Sequence, residues 1–128
     1  MTLHPQMMMK EHRKYPRLPL TAKVRLVYTT GASLYALTRD INRGGMGLYS
    51  NSPIDEGTGV RLEVMFKDMR GRDLMEVVKG KVVFNYEWHW VYVAGVQFDQ
   101  LLNSEETPYL LEYIENCERI INISEGKL

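Results

Sequence analysis

The chain has 128 residues, a formal net charge of zero, 45% hydrophobic residues and one cysteine. This length fits one folded domain, and a lone cysteine excludes an internal disulfide bond and suits a reducing compartment. No apolar run is long enough for a membrane-spanning helix, and the polar start MTLHPQMMMKEH does not resemble a signal peptide. We therefore expect a cytoplasmic protein that does not insert into a membrane.

Charge is concentrated at the two ends of the chain. Residues 1–25 hold six basic side chains against one acidic side chain, a net charge of +5. Residues 99–128 hold two basic against seven acidic side chains, a net charge of −5. We interpret the acidic end as a solvated surface. The basic end is more specific, because its charges cluster in a segment that proline keeps from folding as a helix.

That segment is EHRKYPRLPL, in which Pro16 and Pro19 each disfavour a helical conformation of the residue before them. In an extended chain, Arg13 and Arg17 lie about 13 Å apart, so the pair can contact two parts of one ligand. We predict that residues 1–20 form a flexible basic N-terminal arm.

Residues 21–100 have the pattern of a small β domain. The stretches AKVRLVY and VRLEVMF alternate apolar and polar residues, which is typical of half-buried strands. Four further strands are predicted in SLYALTRDI, MGLYS, LMEVVKGKVVFNY and WVYVAGVQF, with glycine-rich or polar turns between them. Six short strands at close spacing indicate an antiparallel barrel or sandwich.

Residues 101–128 are predicted to contain a helix that packs on the barrel. Thr107 is placed to cap its N-terminus, with Pro108 at the first helical position. Its apolar stripe consists of Leu110, Ile114, Cys117 and Ile121. Because Cys117 belongs to this stripe, we interpret it as a core residue and not as a nucleophile.

Nothing in the sequence predicts catalysis. The three histidines, His4, His12 and His89, form no HExxH or similar metal-binding arrangement. Neither a GxSxG elbow nor a phosphate-binding P-loop is present. We expect no catalytic residue, no metal site, no cofactor and no enzymatic activity.

A second polar cluster follows the predicted second strand, in RDINRGGMG. Asp40 and Asn42 can form hydrogen bonds, and the glycines allow the backbone to approach a flat or anionic group closely. The same residues also suit an Asx-type turn, in which both side chains bond only to their own loop. Taken alone, the cluster leaves both interpretations open.

Together, the arginine pair and this cluster resemble the two-part signature of PilZ domains, which are receptors for the bacterial second messenger cyclic di-GMP. Arg13 to Arg17 match the RxxxR part, and Asp40 to Gly45 match [D/N]xSxxG, except that Asn42 replaces serine. The stretches PLTAKVRL, GTGVRLEV, GKVV and AGVQF are also similar to PilZ sequences. The resemblance implies a six-stranded antiparallel β-barrel followed by a C-terminal α-helix.

The resemblance also implies a ligand-binding set for cyclic di-GMP: His12, Arg13, Lys14, Arg17, Asp40, Asn42 and Gly45. The two arginines would hold guanine edges and phosphates, since the guanidinium fork suits both. Asp40 would accept hydrogen bonds from the guanine N–H edge. Asn42 would take the polar contact of the family serine, and Gly45 would leave room for the ligand. His12 occupies a position at which side-chain size is thought to influence whether one ligand or a stacked pair binds.

Another departure from the family pattern lies in the fifth strand, where Phe84 stands near a position that is tryptophan in many relatives. It begins a run of aromatic residues at alternate positions: Phe84, Tyr86, Trp88, Trp90 and Tyr92. Such a run is typical of core packing or of a cross-strand ladder, and it can also form a stacking platform or a surface for a partner.

Three functions are therefore compared. The first is a cyclic di-GMP receptor and adaptor that orders its RxxxR arm on binding and signals to a separate, unidentified protein. The second is an adaptor of the same fold that binds no nucleotide. The third, a barrel that binds single-stranded nucleic acid, is disfavoured by the zero net charge, so we expect no nucleic-acid polymer as a partner.

Overall fold

A computed structural model describes residues 16–124 of the chain. Its elements are β1 Ala22–Tyr28, β2 Ser33–Asn42, β3 Gly45–Ser50, β4 Gly59–Lys67, β5 Asp73–Trp88, β6 Val91–Phe98 and α1 Pro108–Ser124. The strands close into a barrel in the order β1-β2-β3-β6-β5-β4, and each neighbouring pair is antiparallel. The predicted barrel of six antiparallel strands with a C-terminal helix is confirmed.

The barrel interior is filled by the apolar side chains that alternate along the strands. In β1 and β4, every second residue faces inward, as the burial patterns of both strands show. The fully buried side chains of these strands are Val24, Leu26, Leu62 and Val64. β5 has 16 residues, of which the first half pairs with β4 and the second half pairs with β6.

Helix α1 packs two of its apolar residues, Leu110 and Ile114, into the core, and Cys117 packs against the core at partial exposure. The helix begins at Pro108 with Thr107 at the N-cap position, as predicted, but the side-chain contacts at this end differ from the predicted ones. The Thr107 hydroxyl donates to the backbone oxygen of Asn103, whereas Glu76 of β5 accepts from the backbone N–H groups of Tyr109 and Leu110 at 2.9 and 2.7 Å. A carboxylate from a distant strand therefore neutralises the donors at the start of the helix.

Residues 16–20 lie antiparallel to the end of β2. The backbones of Leu18 and Ile41 exchange two hydrogen bonds of 2.8 and 2.9 Å. The Thr38 hydroxyl also donates to the backbone oxygen of Leu20 and accepts from the N–H group of Ala22. Leu18 and Leu20 are core residues, although both belong to the stretch that the sequence assigned to the arm.

Two register shifts interrupt the barrel wall. One lies between Thr38 and Asp40 on β2, and the other lies between Val82 and Phe84 on β5. Shifts of this kind bend a strand and redirect its side chains, and they are common beside binding sites. Both shifts occur in the part of the wall that carries the candidate site described next.

Candidate functional site

Arg17 and Asp40, from the two halves of the sequence motif, form an ion pair. Nη1 of Arg17 lies 2.8 Å from Oδ1 of Asp40, and both side chains are mostly buried. The backbone bridge between Leu18 and Ile41 holds the two together, because each bridging residue follows one partner of the pair in sequence. The fold therefore brings together side chains that are 23 residues apart.

Each partner of this pair keeps polar atoms for a ligand. Oδ1 of Asp40 accepts from Arg17 and also from the backbone N–H of Gly47 at 3.1 Å. Among residues 16–124, Oδ2 of Asp40 has no hydrogen-bond partner. Nη2 of Arg17 also has none within the described part of the chain, and neither has its Nε, which is buried. The pair thus offers a carboxylate oxygen that can accept from guanine and guanidinium N–H groups that can donate to guanine or phosphate oxygens.

Two glycines allow the side chains of Asp40 and Phe84 to pack flat against the barrel wall. In register across the sheet, Asp40 pairs with Gly47, Gly47 with Gly95, and Gly95 with Phe84. A Cβ atom on Gly47 would lie 2.6 Å from Oδ1 of Asp40, and one on Gly95 would lie 2.0 Å from the Phe84 ring. The carboxylate and the ring therefore cover neighbouring glycines, whose strands are about 4.8 Å apart.

This row adds aromatic surface to the polar pair. The Phe84 ring stacks against Tyr86 with a centroid distance of 6.1 Å and an interplanar angle of 25°. A carboxylate beside an aromatic surface suits a purine base, since the carboxylate can bind the polar edge and the ring can stack on the face. Within the aromatic run, Phe84 lies in this row and Tyr86 stacks against it, whereas Trp88 and Trp90 are exposed at the β5–β6 hairpin.

Asn42 and Gly45 lie in the same loop, with local contacts that explain both residues. Oδ1 of Asn42 accepts from the backbone N–H of Gly44 at 2.8 Å, which is the Asx-type turn expected from the residue type. A Cβ atom on Gly45 would lie 2.7 Å from the backbone oxygen of Val96. Close packing of β3 against β6 therefore requires glycine here, whether or not a ligand needs the space.

The loop between β2 and β3 is also connected to the C-terminal part of the chain. Nη2 of Arg43 lies 2.8 Å from Oε1 of Glu118 on α1. The backbone oxygens of Arg43 and Gly44 accept from the N–H groups of Leu102 and Phe98. These contacts fix the loop against β6 and α1 and thereby support the conformation that places Asp40.

The structure brings together four of the predicted ligand-binding residues: Arg17, Asp40, Asn42 and Gly45. His12, Arg13 and Lys14 lie outside the described residues. Gly47 belongs to the glycine-rich stretch RDINRGGMG that the sequence singled out, whereas Gly95 was not assigned to the site. The place of Gly95 is visible only in the register of the strands, because this residue lies far from both motif halves in sequence.

Within residues 16–124, no three histidine, cysteine or acidic side chains are close enough to hold a metal ion. In the same part of the chain, no helix is both long and apolar enough to cross a membrane.

Comparison with known proteins agrees with the resemblance seen in the sequence. The model of the PilZ domain family matches residues 11–116. No curated protein matches the chain in sequence.

Three solved structures share the fold. The inhibitor of motility MotI/DgrA from Bacillus subtilis aligns with a TM-score of 0.67 and 12% identity, over 84% of this chain and 50% of that protein. This chain thus spans half the length of MotI/DgrA. The PilZ domain of CeSA from a cellulose-synthesizing bacterium gives a TM-score of 0.54, 13% identity and coverage of 80% and 98%. The PilZ domain of YcgR from Escherichia coli, solved with c-di-GMP, gives 0.53, 17% identity and coverage of 91% and 98%.

Proposed function

The chain belongs to the PilZ domain family, and from this premise we propose that it is a receptor for cyclic di-GMP. The observation that carries the proposal is the Arg17–Asp40 pair, in which both motif halves meet and each keeps unfilled hydrogen-bonding atoms. In this proposal, Oδ2 of Asp40 accepts from the N–H edge of a guanine. Arg17 donates to a guanine edge or a phosphate.

The remaining motif residues complete the ligand contacts. Arg13 supplies a second guanidinium, His12 and Lys14 border the ligand, and nucleotide binding orders the part of the RxxxR arm that precedes Arg17. Asn42 contributes the donor nitrogen of its amide, since its oxygen is already bonded to Gly44. The arm then reports ligand binding to a separate protein, because a segment that changes order can expose or remove a contact surface. The proposed role is therefore that of a non-enzymatic receptor and adaptor in the cytoplasm.

The proposal draws support from the structure of YcgR, whose PilZ domain was solved with c-di-GMP. At 17% identity, that likeness concerns the fold. Nucleotide binding by this chain is therefore inferred from its own Arg17 and Asp40.

A thermal-shift titration with cyclic di-GMP tests this function, with GTP as the control ligand. A ligand that binds only the folded state stabilises it by about 2.7 kcal/mol at a hundred times its Kd. We expect cyclic di-GMP to raise the Tm of the wild type and GTP to leave it unchanged. Arg17→Lys should weaken binding about tenfold or more, because lysine keeps the charge beside Asp40 but loses the guanidinium fork.

Arg61→Lys is the matched control, because Arg61 lies on the outer face of β4, away from the Arg17–Asp40 pair. Its response to cyclic di-GMP should equal that of the wild type.

The alternative function is a PilZ-fold adaptor that binds no nucleotide. One observation favours it: Asp40 and Asn42 already bond to their own loop, at Gly47 and Gly44. If the Tm of the wild type does not respond to cyclic di-GMP at millimolar concentration, this alternative replaces the receptor.

A further inference from the structure

The outer face of β1, β4 and the first half of β5 is strongly basic, although the whole chain has no net charge. Its charged residues are Lys23, Arg25, Arg61, Lys67, Lys79 and Lys81, with Glu63 and Asp73 as the only carboxylates, giving a net charge of +4. We call this surface the basic face. It lies on strands other than β2, β3 and β6, which position Asp40 and its glycine row.

The cations of the basic face are only partly neutralised. Arg25 and Arg61 share one carboxylate, Glu63, at 3.2 Å each. Among the described residues, Lys23, Lys79 and Lys81 have no ion-pair partner. The pairing of β4 with β5 places Arg61 opposite Lys79, so two like charges lie side by side on the wall. Like charges opposite one another destabilise a sheet unless a partner neutralises them.

Apolar side chains lie in the middle of this face. Met75 of β5 is 56% exposed, and it pairs across the sheet with Met65 of β4. Val77 follows on the same face, and Leu37 of β2, which is 60% exposed, extends the apolar surface past Lys23. An open cleft of about 850 Å³ is lined by Met65, Met75 and Leu37 and also by Tyr113 of α1. The apolar residues thus lie between the Lys67–Asp73 ion pair at one end of the face and the cations Arg61, Lys79 and Lys81 at the other.

We propose that the basic face is a docking surface for an acidic protein segment with apolar side chains. Charge complementarity selects the acidic partner, and methionine and arginine are enriched at the centres of protein interfaces. Three strands of this length offer a strip about 10 Å wide and about 27 Å long, which accommodates one helix.

Other occupants fit the observations less well. A nucleic acid would meet the cations with phosphates but would leave Met75 and Val77 in contact with water. Residues 1–15 carry three cations against one carboxylate, so their charge does not complement this surface. A second copy of the chain could offer its acidic C-terminal part, and the experiment distinguishes this case. The docking surface defines the class of protein that the proposed adaptor binds. The proposal depends on the proposed function in one respect only, because it takes this bound protein to be the recipient of the cyclic di-GMP signal.

The test uses the full chain and a defined probe, a fluorescent 18-residue amphipathic helical peptide with a leucine stripe flanked by glutamates. Fluorescence anisotropy should show saturable binding that weakens as salt is raised. In one comparison peptide every glutamate is replaced by lysine, and in another every leucine is replaced by serine. The first should not bind, and the second should bind about tenfold more weakly or worse, a factor that corresponds to 1.4 kcal/mol.

The double variant Arg61→Glu with Lys79→Glu should lose at least about tenfold in affinity for the probe. It removes two cations and introduces two negative charges that repel the glutamates of the probe. Arg119→Glu on α1 is the control, with the same change of charge outside the basic face, and should bind like the wild type. Lys81→Glu, a single change at the end of the face, should also weaken probe binding, by a smaller factor. It replaces the double variant in the test if the double variant does not fold.

The proposal is overturned if the probe does not bind at millimolar concentration, or if charge reversal leaves its affinity unchanged. It is also overturned if oligo(dT) or phosphatidylglycerol vesicles bind the basic face at least as tightly as the peptide. Self-association of the wild type that the double variant abolishes, without probe binding, would assign the face to a second copy. Titrating the same proteins with cyclic di-GMP separates the two proposals: nucleotide binding without probe binding rejects the docking surface alone, and the reverse result rejects the receptor alone.

Discussion

The two halves of the barrel wall differ in regularity. β1, β4 and the first half of β5 pair without a register shift, and their residues alternate between core and solvent. β2, β3, β6 and the second half of β5 contain both register shifts and the glycine row. In the regular half, the alternation of apolar and polar residues alone predicts which side chains are buried. In the irregular half, this alternation breaks at the register shifts beside Asp40 and Phe84. Irregularity therefore marks the candidate site within an otherwise simple barrel.

The largest expected effect concerns the exception within the regular half, the inward-facing carboxylate of Glu76. It is 7% exposed and accepts from the N–H groups of Tyr109 and Leu110. Glu76→Ala should lower the free energy of unfolding by about 2–4 kcal/mol, because one buried and one part-buried N–H group lose their acceptor. Denaturant unfolding monitored by circular dichroism measures the loss. Glu87→Ala, an exposed change on the same strand, should cost no more than about 0.5 kcal/mol, and equal losses in the two variants would contradict this role of Glu76.

Alanine substitutions at one glycine from each half compare the packing of the two halves directly. A Cβ atom on Gly95 would overlap the Phe84 ring, whereas one on Gly59 of β4 would meet nothing closer than 4.0 Å. Gly95→Ala should therefore cost about 1–3 kcal/mol in the free energy of unfolding, and Gly59→Ala should stay within about 0.5 kcal/mol. The same denaturant series measures both. If both substitutions are neutral, the Phe84 ring does not pack on Gly95 in solution, and the flat aromatic surface beside Asp40 is not formed.

The hairpin between β5 and β6 offers a stabilising change in the irregular half. His89 and Trp90 have φ values of 48° and 69°, in the left-handed region that bulky residues rarely adopt. The double substitution His89→Asn with Trp90→Gly gives the preferred residues for such a two-residue turn. It should raise the free energy of unfolding by about 1–2 kcal/mol, because Trp90 is 90% exposed and little packing is lost. A lower stability would show that the two aromatic rings contribute packing that outweighs the backbone strain.

The smallest effect is a dependence on alkaline pH. Burial, together with a hydrogen bond to Cys117, raises the pKa of Tyr113 to about 12, and its hydroxyl donates to the backbone oxygen of Pro19 at 2.8 Å. Because the folded pKa lies above the unfolded value near 10, the contribution is complete below pH 10 and is lost as pH rises toward 12. Tyr113→Phe should flatten the stability curve between these two values. An unchanged slope in thermal unfolding would assign the alkaline loss to other groups.

Much of the fold could be predicted from the sequence, and less of the site. Alternation in AKVRLVY and VRLEVMF predicted β1 and β4, because one face of each strand is buried. The cap of α1 was predicted at Thr107, but Glu76 supplies it from a strand 33 residues earlier. Such a long-range contact leaves no local signal in the sequence.

The motif residues show the same limit. The resemblance to the PilZ signature predicted that Arg17 and Asp40 belong to one site, and the structure pairs them. The sequence did not predict that Gly47 and Gly95 stand in one row between Asp40 and Phe84. That row depends on the strand order β2-β3-β6-β5, which the hydrophobic pattern does not encode.

The most direct test of the account is isothermal titration of cyclic di-GMP into the wild type, Asp40→Asn and the double variant Arg61→Glu with Lys79→Glu. Oδ1 of Asp40 is fixed by two donors, so the amide nitrogen of asparagine must take the place of Oδ2. It would then meet the guanine N–H edge with a donor, and binding should fall about tenfold or more. The wild type and the double variant should bind equally well. Equal binding by Asp40→Asn, or lost binding in the double variant, would contradict the placement of the nucleotide site on the irregular half of the barrel.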